Sequence, residues 1–188
     1  MSATSEPMGL ALFDTPIGTC AVAWSARGIA GMNLPEASPA ATRARMQRRW
    51  PTAIESTPPP EVQRVLDRVR VLLSGSADDL ADVELDLGEQ PEFNRKVYDV
   101  ARAVPPGHTI TYGEIAKKIG VGPEMARDVG QALGRNPIPI IVPCHRVLAA
   151  SGKMGGFSTN GGIATKRRML EIEGAAALGA GPLFDAKR

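Results

Sequence analysis

Cysteine and histidine are nearly absent from this chain of 188 residues, which contains two of each. Cys20 and Cys144 alone cannot build a multi-bridge disulfide framework or a zinc quartet, and with His108 and His145 they show no metal-ligand spacing. No apolar run reaches the roughly eighteen residues needed for a membrane-spanning helix, so a membrane partner is not expected. The N-terminal stretch Met1-Ser2-Ala3-Thr4-Ser5-Glu6 lacks the basic and apolar regions of a secretory leader. A cytoplasmic location is therefore expected, where thiols stay reduced. Repeats and low-complexity tracts are also missing.

What charge there is lies unevenly. The net value is only +2, but residues 1–90 carry 8 Lys/Arg against 12 Asp/Glu, whereas residues 91–188 carry 14 against 8. A charge run is usually a solvated face, yet this asymmetry is what a domain approaching a polyanion would have. It divides the chain into an acidic unit, 1–90, and a basic unit, 91–188.

The pattern of apolar residues supports that division. Residues 10–13 and 19–24 read as two strands around the turn Asp14-Thr15-Pro16-Ile17-Gly18, and residues 28–34 as a third. An Ala/Arg-rich helix is expected over 39–50 and a second over 61–73, where Val62, Val65, Leu66, Val69, Leu72 and Leu73 recur at helical spacing. Val83, Leu85 and Leu87 alternate as a strand would. Beyond residue 91 the texture is helical. Phe93, Val97, Val100, Ala101 and Val104 mark one helix face, stopped by Pro105-Pro106-Gly107. Thr111-Tyr112-Gly113-Glu114 has the spacing of a capping box, so a helix should follow and end near Gly120. Pro123 suits the first position of another helix, running to about Leu133. Two short helices around a glycine-containing turn are a helix-turn-helix candidate, although many helical proteins contain such a hairpin.

One stretch carries chemistry. Pro143-Cys144-His145-Arg146 follows the apolar run Ile138-Pro139-Ile140-Ile141-Val142 and sets a thiol beside an imidazole, with Glu173 further on as a carboxylate for the histidine. These are the parts of an activated sulfur nucleophile. A buried structural cysteine would look the same by adjacency alone.

The longer string Arg135-Asn136-Pro137-Ile138-Pro139-Ile140-Ile141-Val142-Pro143-Cys144-His145-Arg146-Val147 resembles the active-site motif of the O6-alkylguanine-DNA alkyltransferases. The resemblance extends over about 93–174 through Val104-Pro105-Pro106-Gly107, Thr111-Tyr112-Gly113, Ala126-Arg127-Asp128-Val129-Gly130 and Leu170-Glu171-Ile172-Glu173-Gly174. Before residue 90, Thr15-Pro16-Ile17-Gly18 is its main echo. It implies an α/β protein: an N-terminal ribonuclease-H-like antiparallel sheet with helices, then a C-terminal helix-turn-helix or winged-helix-like domain that binds DNA and transfers the alkyl group.

By the same resemblance, the function is direct repair of O6-alkylguanine, and of O4-alkylthymine, in double-stranded DNA. Cys144 takes the alkyl group irreversibly, once per molecule. The protein needs no cofactor or metal, implies no protein partner, and acts as a monomer. His145 is the base acting on the thiol through a water, Glu173 orients the imidazole, and Asn136 holds the turn beneath Cys144. Tyr112, Val147 and Ser158 match positions that bind the extruded base. Arg127, with Ala126 beside it on the second helix, matches the residue that fills the gap left in the minor groove, and Tyr112 the one that presses on the target phosphate. Extrusion costs a few kcal/mol, and a side chain filling the vacancy offsets part of it.

The chain departs from the commoner pattern in places. Asp128 puts a negative charge where a small residue usually follows the arginine, Phe157 replaces a frequent tyrosine, and Thr159-Asn160 widen the loop before Gly161-Gly162. Two other readings remain open: a non-catalytic alkylated-base-binding protein, and a turnover thiol hydrolase, which would need an oxyanion hole.

Overall fold

The computed structural model describes residues 9–155, 157 and 160–175. Its N-terminal half is a three-layer sandwich. Strands β1 (Gly9–Thr15), β2 (Gly18–Ser25) and β3 (Gly28–Asn33) form an antiparallel meander, and the two-residue β4 (Ile54–Glu55) adds to β1 in parallel, giving the order β3-β2-β1-β4. Successive side chains of a strand point to opposite faces. Leu10, Ala21 and Ala23 accordingly pack with Met46 of helix α1 (Pro39–Arg49) on one face. Ala11, Phe13, Cys20, Val22 and Trp24 pack on the other against Val62, Leu66, Val69 and Leu73 of helix α2 (Pro60–Leu73). Ser38 caps α1 by accepting from the Ala41 N–H at 3.1 Å.

Residues 83–87 do not form a full strand. They make a single parallel bridge, Leu85 to Ile29, with the Ile29 N–H donating to Glu84 O and the Asp86 N–H to Ile29 O. Side-chain chemistry takes over from the ladder there: the buried Asp86 accepts from Ser25 and Arg27. Gly28 permits this approach, because its φ is +131° and a Cβ would stand 2.4 Å from Glu84 O.

The second half is built on helix α3 (Glu92–Arg102), which packs against α4 (Tyr112–Lys118) and α5 (Ala126–Gly134). The capping box at Thr111 forms in both directions. The helix expected from Pro123 instead opens as a 3-10 turn over Pro123–Met125, and α5 starts at Ala126. Strand β5 (Ile110–Thr111) pairs in parallel with β6 (Val147–Leu148), and α6 (Gly162–Ile172) closes the described chain.

The segment between α5 and β6 stitches the halves together. Ile138, Ile140 and Ile141 are buried in the N-terminal core while Val142 belongs to the C-terminal one. The Met32 N–H at the end of the meander donates to Pro137 O at 2.9 Å. Ile140 is left-handed, with φ 77°. A β-branched residue there costs about 1–3 kcal/mol and persists only when its surroundings enforce it. Burial of its side chain and the bonds of Asn136 described below do so. Among the described residues no helix is long and apolar enough to cross a membrane.

Candidate active site

Asn136 organises the approach to the thiol. Its Nδ2 donates to Val142 O at 2.8 Å and its Oδ1 accepts from the Ile138 N–H at 2.9 Å, closing a turn of which both ends are one side chain's partners. The chain leaves this turn through Pro143 into a short 3-10 turn, Cys144–Arg146. Cys144 is half-buried in the wall of a cavity of about 310 Å³, which Tyr112, Asn136, Pro139 and Phe157 also line.

The next two residues point inward. His145 and Arg146 are 0% and 1% exposed, and both reach Glu173, whose side chain is 1% exposed just past the end of α6. His145 Nε2 lies 2.7 Å from Glu173 Oε1. Arg146 donates through Nε to Oε2 at 2.9 Å and through Nη2 to Oε1 at 2.8 Å, and its Nη1 donates to Val104 O at 2.6 Å. Lys166 on α6, also 1% exposed, donates to Val147 O at 2.6 Å and stands 5.8 Å from the Phe157 ring centroid.

These contacts set the resting charges. Burial alone would raise the Glu173 carboxyl, but His145 and Arg146 outweigh it and pull the group down to about 2. Burial lowers His145, with Arg146 and Lys166 acting in the same direction against the attraction of Glu173. The imidazole therefore rests neutral, its counter-ion already matched by Arg146. A neutral ring beside an ionised carboxylate carries its proton on Nε2, which leaves the lone pair on Nδ1. Nδ1 is buried with no hydrogen-bond partner among the described residues, so it is the atom able to take a proton. Burial also pushes the Cys144 thiol up; the Asn136 side chain, the Lys166 charge and the N–H groups of Cys144 and His145 hold it back. Cys144 thus rests protonated unless a base takes its proton, and the His145 imidazole belongs to the next residue in the chain. Cys20 differs: it is wholly buried in the sheet core, and that burial pushes its thiol up to about 12.

Tyr112, the first residue of α4, forms a half-buried wall of the cavity, and a Cβ on Gly155 would stand 2.5 Å from its hydroxyl. Val147 is fully buried in β6, with its carbonyl already accepting from Lys166. Ala126 and Arg127 open α5; Arg127 is exposed, with no hydrogen bond or ion pair among the described residues, and Asp128 beside it is exposed too. The sequence-assigned Ser158, with Thr159, lies outside the described residues. No cluster of three or more metal-ligating side chains occurs among the described residues.

Comparison with known proteins gives this geometry a family. A model described as "6-O-methylguanine DNA methyltransferase, DNA binding domain" matches residues 92–175. A methylated-DNA–protein-cysteine methyltransferase of Mycobacterium tuberculosis is 38% identical over 173 residues, covering 92% of this chain and 96% of that protein. The chain belongs to this methyltransferase family. A relative of the same name from Methanothermobacter thermautotrophicus is 40% identical over 125 residues, or 66% of this chain and 68% of its own length. The crystal structure of Mycobacterium tuberculosis OGT in complex with DNA superposes with a TM-score of 0.71 at 36% identity, covering 95% of this chain and 100% of that one.

Within this family member, two residues near the thiol escaped the sequence reading. Arg146 lay inside the quoted motif with no role attached, and nothing in a linear string says that it pairs with a glutamate 27 residues on. Lys166 had a weak signal. With Met169, Leu170 and Glu173 it recurs at helical spacing, so one charge sits on the buried stripe of α6 and a second at its C-terminal cap.

Acid stability tests the ion pair. Glu173 is depressed, so unfolded chains bind its proton first as pH falls, and its contribution is complete above about pH 4.5 and lost as pH falls toward 2. That contribution is about 3 kcal/mol by the linkage relation. Denaturant titration should find Glu173→Gln strongly destabilised at pH 6, with the gap to wild type shrinking between pH 4.5 and 2. A gap independent of pH would show that Glu173 is not held ionised.

Proposed function

We propose that the protein repairs duplex DNA by moving the alkyl group of O6-alkylguanine, and of O4-alkylthymine, onto Cys144, irreversibly and once per molecule. The observation that carries this reading is the buried His145–Glu173 contact immediately beside a thiol that opens into a base-sized cavity. The family membership of the chain supports the reaction class.

The chemistry proceeds without cofactor. His145 Nδ1 accepts the thiol proton through a bridging water, and Glu173 stabilises the imidazolium that forms. The Cys144 sulfur attacks the alkyl carbon in line with O6. The new S–C bond forms as the C–O6 bond breaks, and the electron pair passes to the guanine ring. Guanine regains a proton at N1, which balances the one lost by the thiol. A thioether is a poor leaving group, so the enzyme ends as a dead-end product. Asn136 holds the cysteine turn, and Tyr112 and Val147 border the base.

Residues 91–188 act as the DNA-binding and transfer domain, and residues 1–90 form the other unit, whose core Ile138, Ile140 and Ile141 enter. The basic balance of 91–188 favours a polyanion, and α5 opens with the half-buried Ala126 and the exposed Arg127, which has no ion pair among the described residues. Arg127 enters the minor groove and fills the gap behind the extruded nucleotide, while Tyr112 presses on its phosphate. Asp128 weakens phosphate affinity by repulsion.

Intact mass after incubation with a methylguanine-containing duplex checks the reaction. Wild type and Cys20→Ser should each gain one methyl group, and Cys144→Ala none while still binding DNA. A methyl group mapped to Cys20 would overturn the assignment, and unchanged mass with tight lesion binding would favour a non-catalytic binder. Arg127→Ala should slow single-turnover repair of saturated duplex by tenfold or more yet leave reaction with free O6-benzylguanine within twofold. Equal duplex rates for the two proteins would remove the finger role.

A further inference from the structure

The acidic half of the chain carries one helix with no acid in it. Residues 1–90 hold 8 Lys/Arg against 12 Asp/Glu, yet α1 contains Arg43, Arg45, Arg48 and Arg49 with no Asp or Glu between them. Basic side chains in a last turn suit the helix dipole, which accounts for Arg48 and Arg49 but not for the other two. Those two are matched instead by carboxylates, Arg43 by Glu55 at 3.0 Å and Arg45 by Glu36 at 2.8 Å. Arg49 is not: its side chain stacks over Trp50, 5.8 Å from the ring centroid, and makes no ion pair or hydrogen bond among the described residues. Arg45 and Arg49, one helical turn apart, are exposed and line the cavity that holds Cys144. So does the exposed Arg135 just past the end of α5, whose side chain also has no partner among the described residues. Three guanidiniums and one carboxylate, that of Glu36, therefore stand on its rim. Arg48, next to Arg49 in sequence, does not line it.

We propose that Arg49 of α1, together with Arg135, binds the phosphate backbone of the strand that carries the extruded nucleotide, which brings the N-terminal half into the DNA interface. The inference rests on the repair reading. A base that enters the cavity stays joined to its sugar, so the phosphates on either side of it remain at the rim. Arg127 and Arg135 are separated by about 12 Å along the axis of α5. The rim cations thus lie beyond the gap that Arg127 fills and meet other parts of the backbone. A guanidinium fork suits phosphate oxygens, and stacking on Trp50 holds that of Arg49 in place without neutralising it. Burial, and after it the charge of Arg45, disfavours the Arg49 cation, and a phosphate laid beside it offsets the second. The contact also answers a problem of charge. With acids in excess over residues 1–90, this half would be repelled by a duplex lying against the cavity, and the arginines of α1 put attraction in place of repulsion at the edge that meets it. The two halves then hold one strand at the mouth of the cavity, α5 and Tyr112 from one and α1 from the other.

Equilibrium binding of a methylguanine-containing duplex over a range of salt concentrations tests the contact, with the full chain carrying Cys144→Ala as the parent so that no transfer occurs. Each phosphate contact contributes about 0.9 to the slope of log K against log salt. Arg49→Gln and Arg135→Gln should each reduce the slope by about one and the affinity about fivefold at roughly 0.15 M salt, and the double variant should lose about two. Arg49→Lys keeps the charge and should keep the parent slope. Arg48→Gln removes the same charge from the same helix at a position off the rim, and should change the slope little. A parent slope in the double variant would overturn the proposal. So would a shift in Arg48→Gln equal to that in Arg49→Gln, which would reduce the effect to net charge, or a slope lost equally in Arg49→Lys, which would make Arg49 a packing partner of Trp50 and no more. The mass of the wild-type protein after reaction with the same duplex keeps the two failures apart: no methyl group on Cys144 means that the repair reading is wrong, whereas methylation with unshifted slopes means that only the α1 contact is.

Discussion

The Glu173 carboxylate is shared by two cationic or potentially cationic groups, and the resting state of the site depends on how that charge is divided. Arg146 takes both oxygens in a fork, while His145 takes one of them. A guanidinium cannot give up its proton under these conditions. The buried cluster is therefore already neutral with His145 uncharged, and adding a proton to the imidazole costs desolvation that Glu173 only partly returns. A histidine paired with a carboxylate alone would be drawn toward the imidazolium. Burial opposes that bias most strongly and Arg146 adds to the opposition, so the ring stays neutral.

The backbone around the thiol is arranged to keep these groups fixed. Arg146 Nη1 anchors to Val104 O at the end of α3, Lys166 to Val147 O, and Asn136 to both sides of the turn before Pro143. The left-handed Ile140 is the cost of bringing the chain from the N-terminal core to the cysteine in so few residues. Because Ile138, Ile140 and Ile141 are buried against the meander and α2, the placement of Cys144 depends on the N-terminal half as much as on its own. Buried polar groups with several hydrogen bonds rigidify such a site, and losing any one partner leaves a charge or donor stranded.

Much of this was legible from the residues. The meander, both N-terminal helices and the capping box at Thr111 followed from alternation, helical spacing and cap chemistry, which are local. The strand expected at Val83, Leu85 and Leu87 shrank to one bridge because Asp86 turns inward to Ser25 and Arg27, a contact 59 to 61 residues away that periodicity does not encode. The opening of α5 as a 3-10 turn is a boundary detail of the same kind. At the site, Cys144, His145, Glu173 and Asn136 were named from the motif that carries the family resemblance, and the structure brings them together. Arg146 and Lys166 were missed, since a buried charge is recognisable only through the partner that satisfies it.

The most direct test of the account is the protonation state of His145 in the resting protein, read from its ring nitrogens by NMR with labelled histidine, His108→Gln removing the other histidine signal. A neutral imidazole at pH 7 with the proton on Nε2 is the predicted result, and Arg146→Gln should shift the ring toward the charged form. A doubly protonated His145 in the wild-type protein at pH 7, or a neutral ring protonated on Nδ1, would contradict the claim that Arg146 and Glu173 hold this histidine ready to accept the thiol proton.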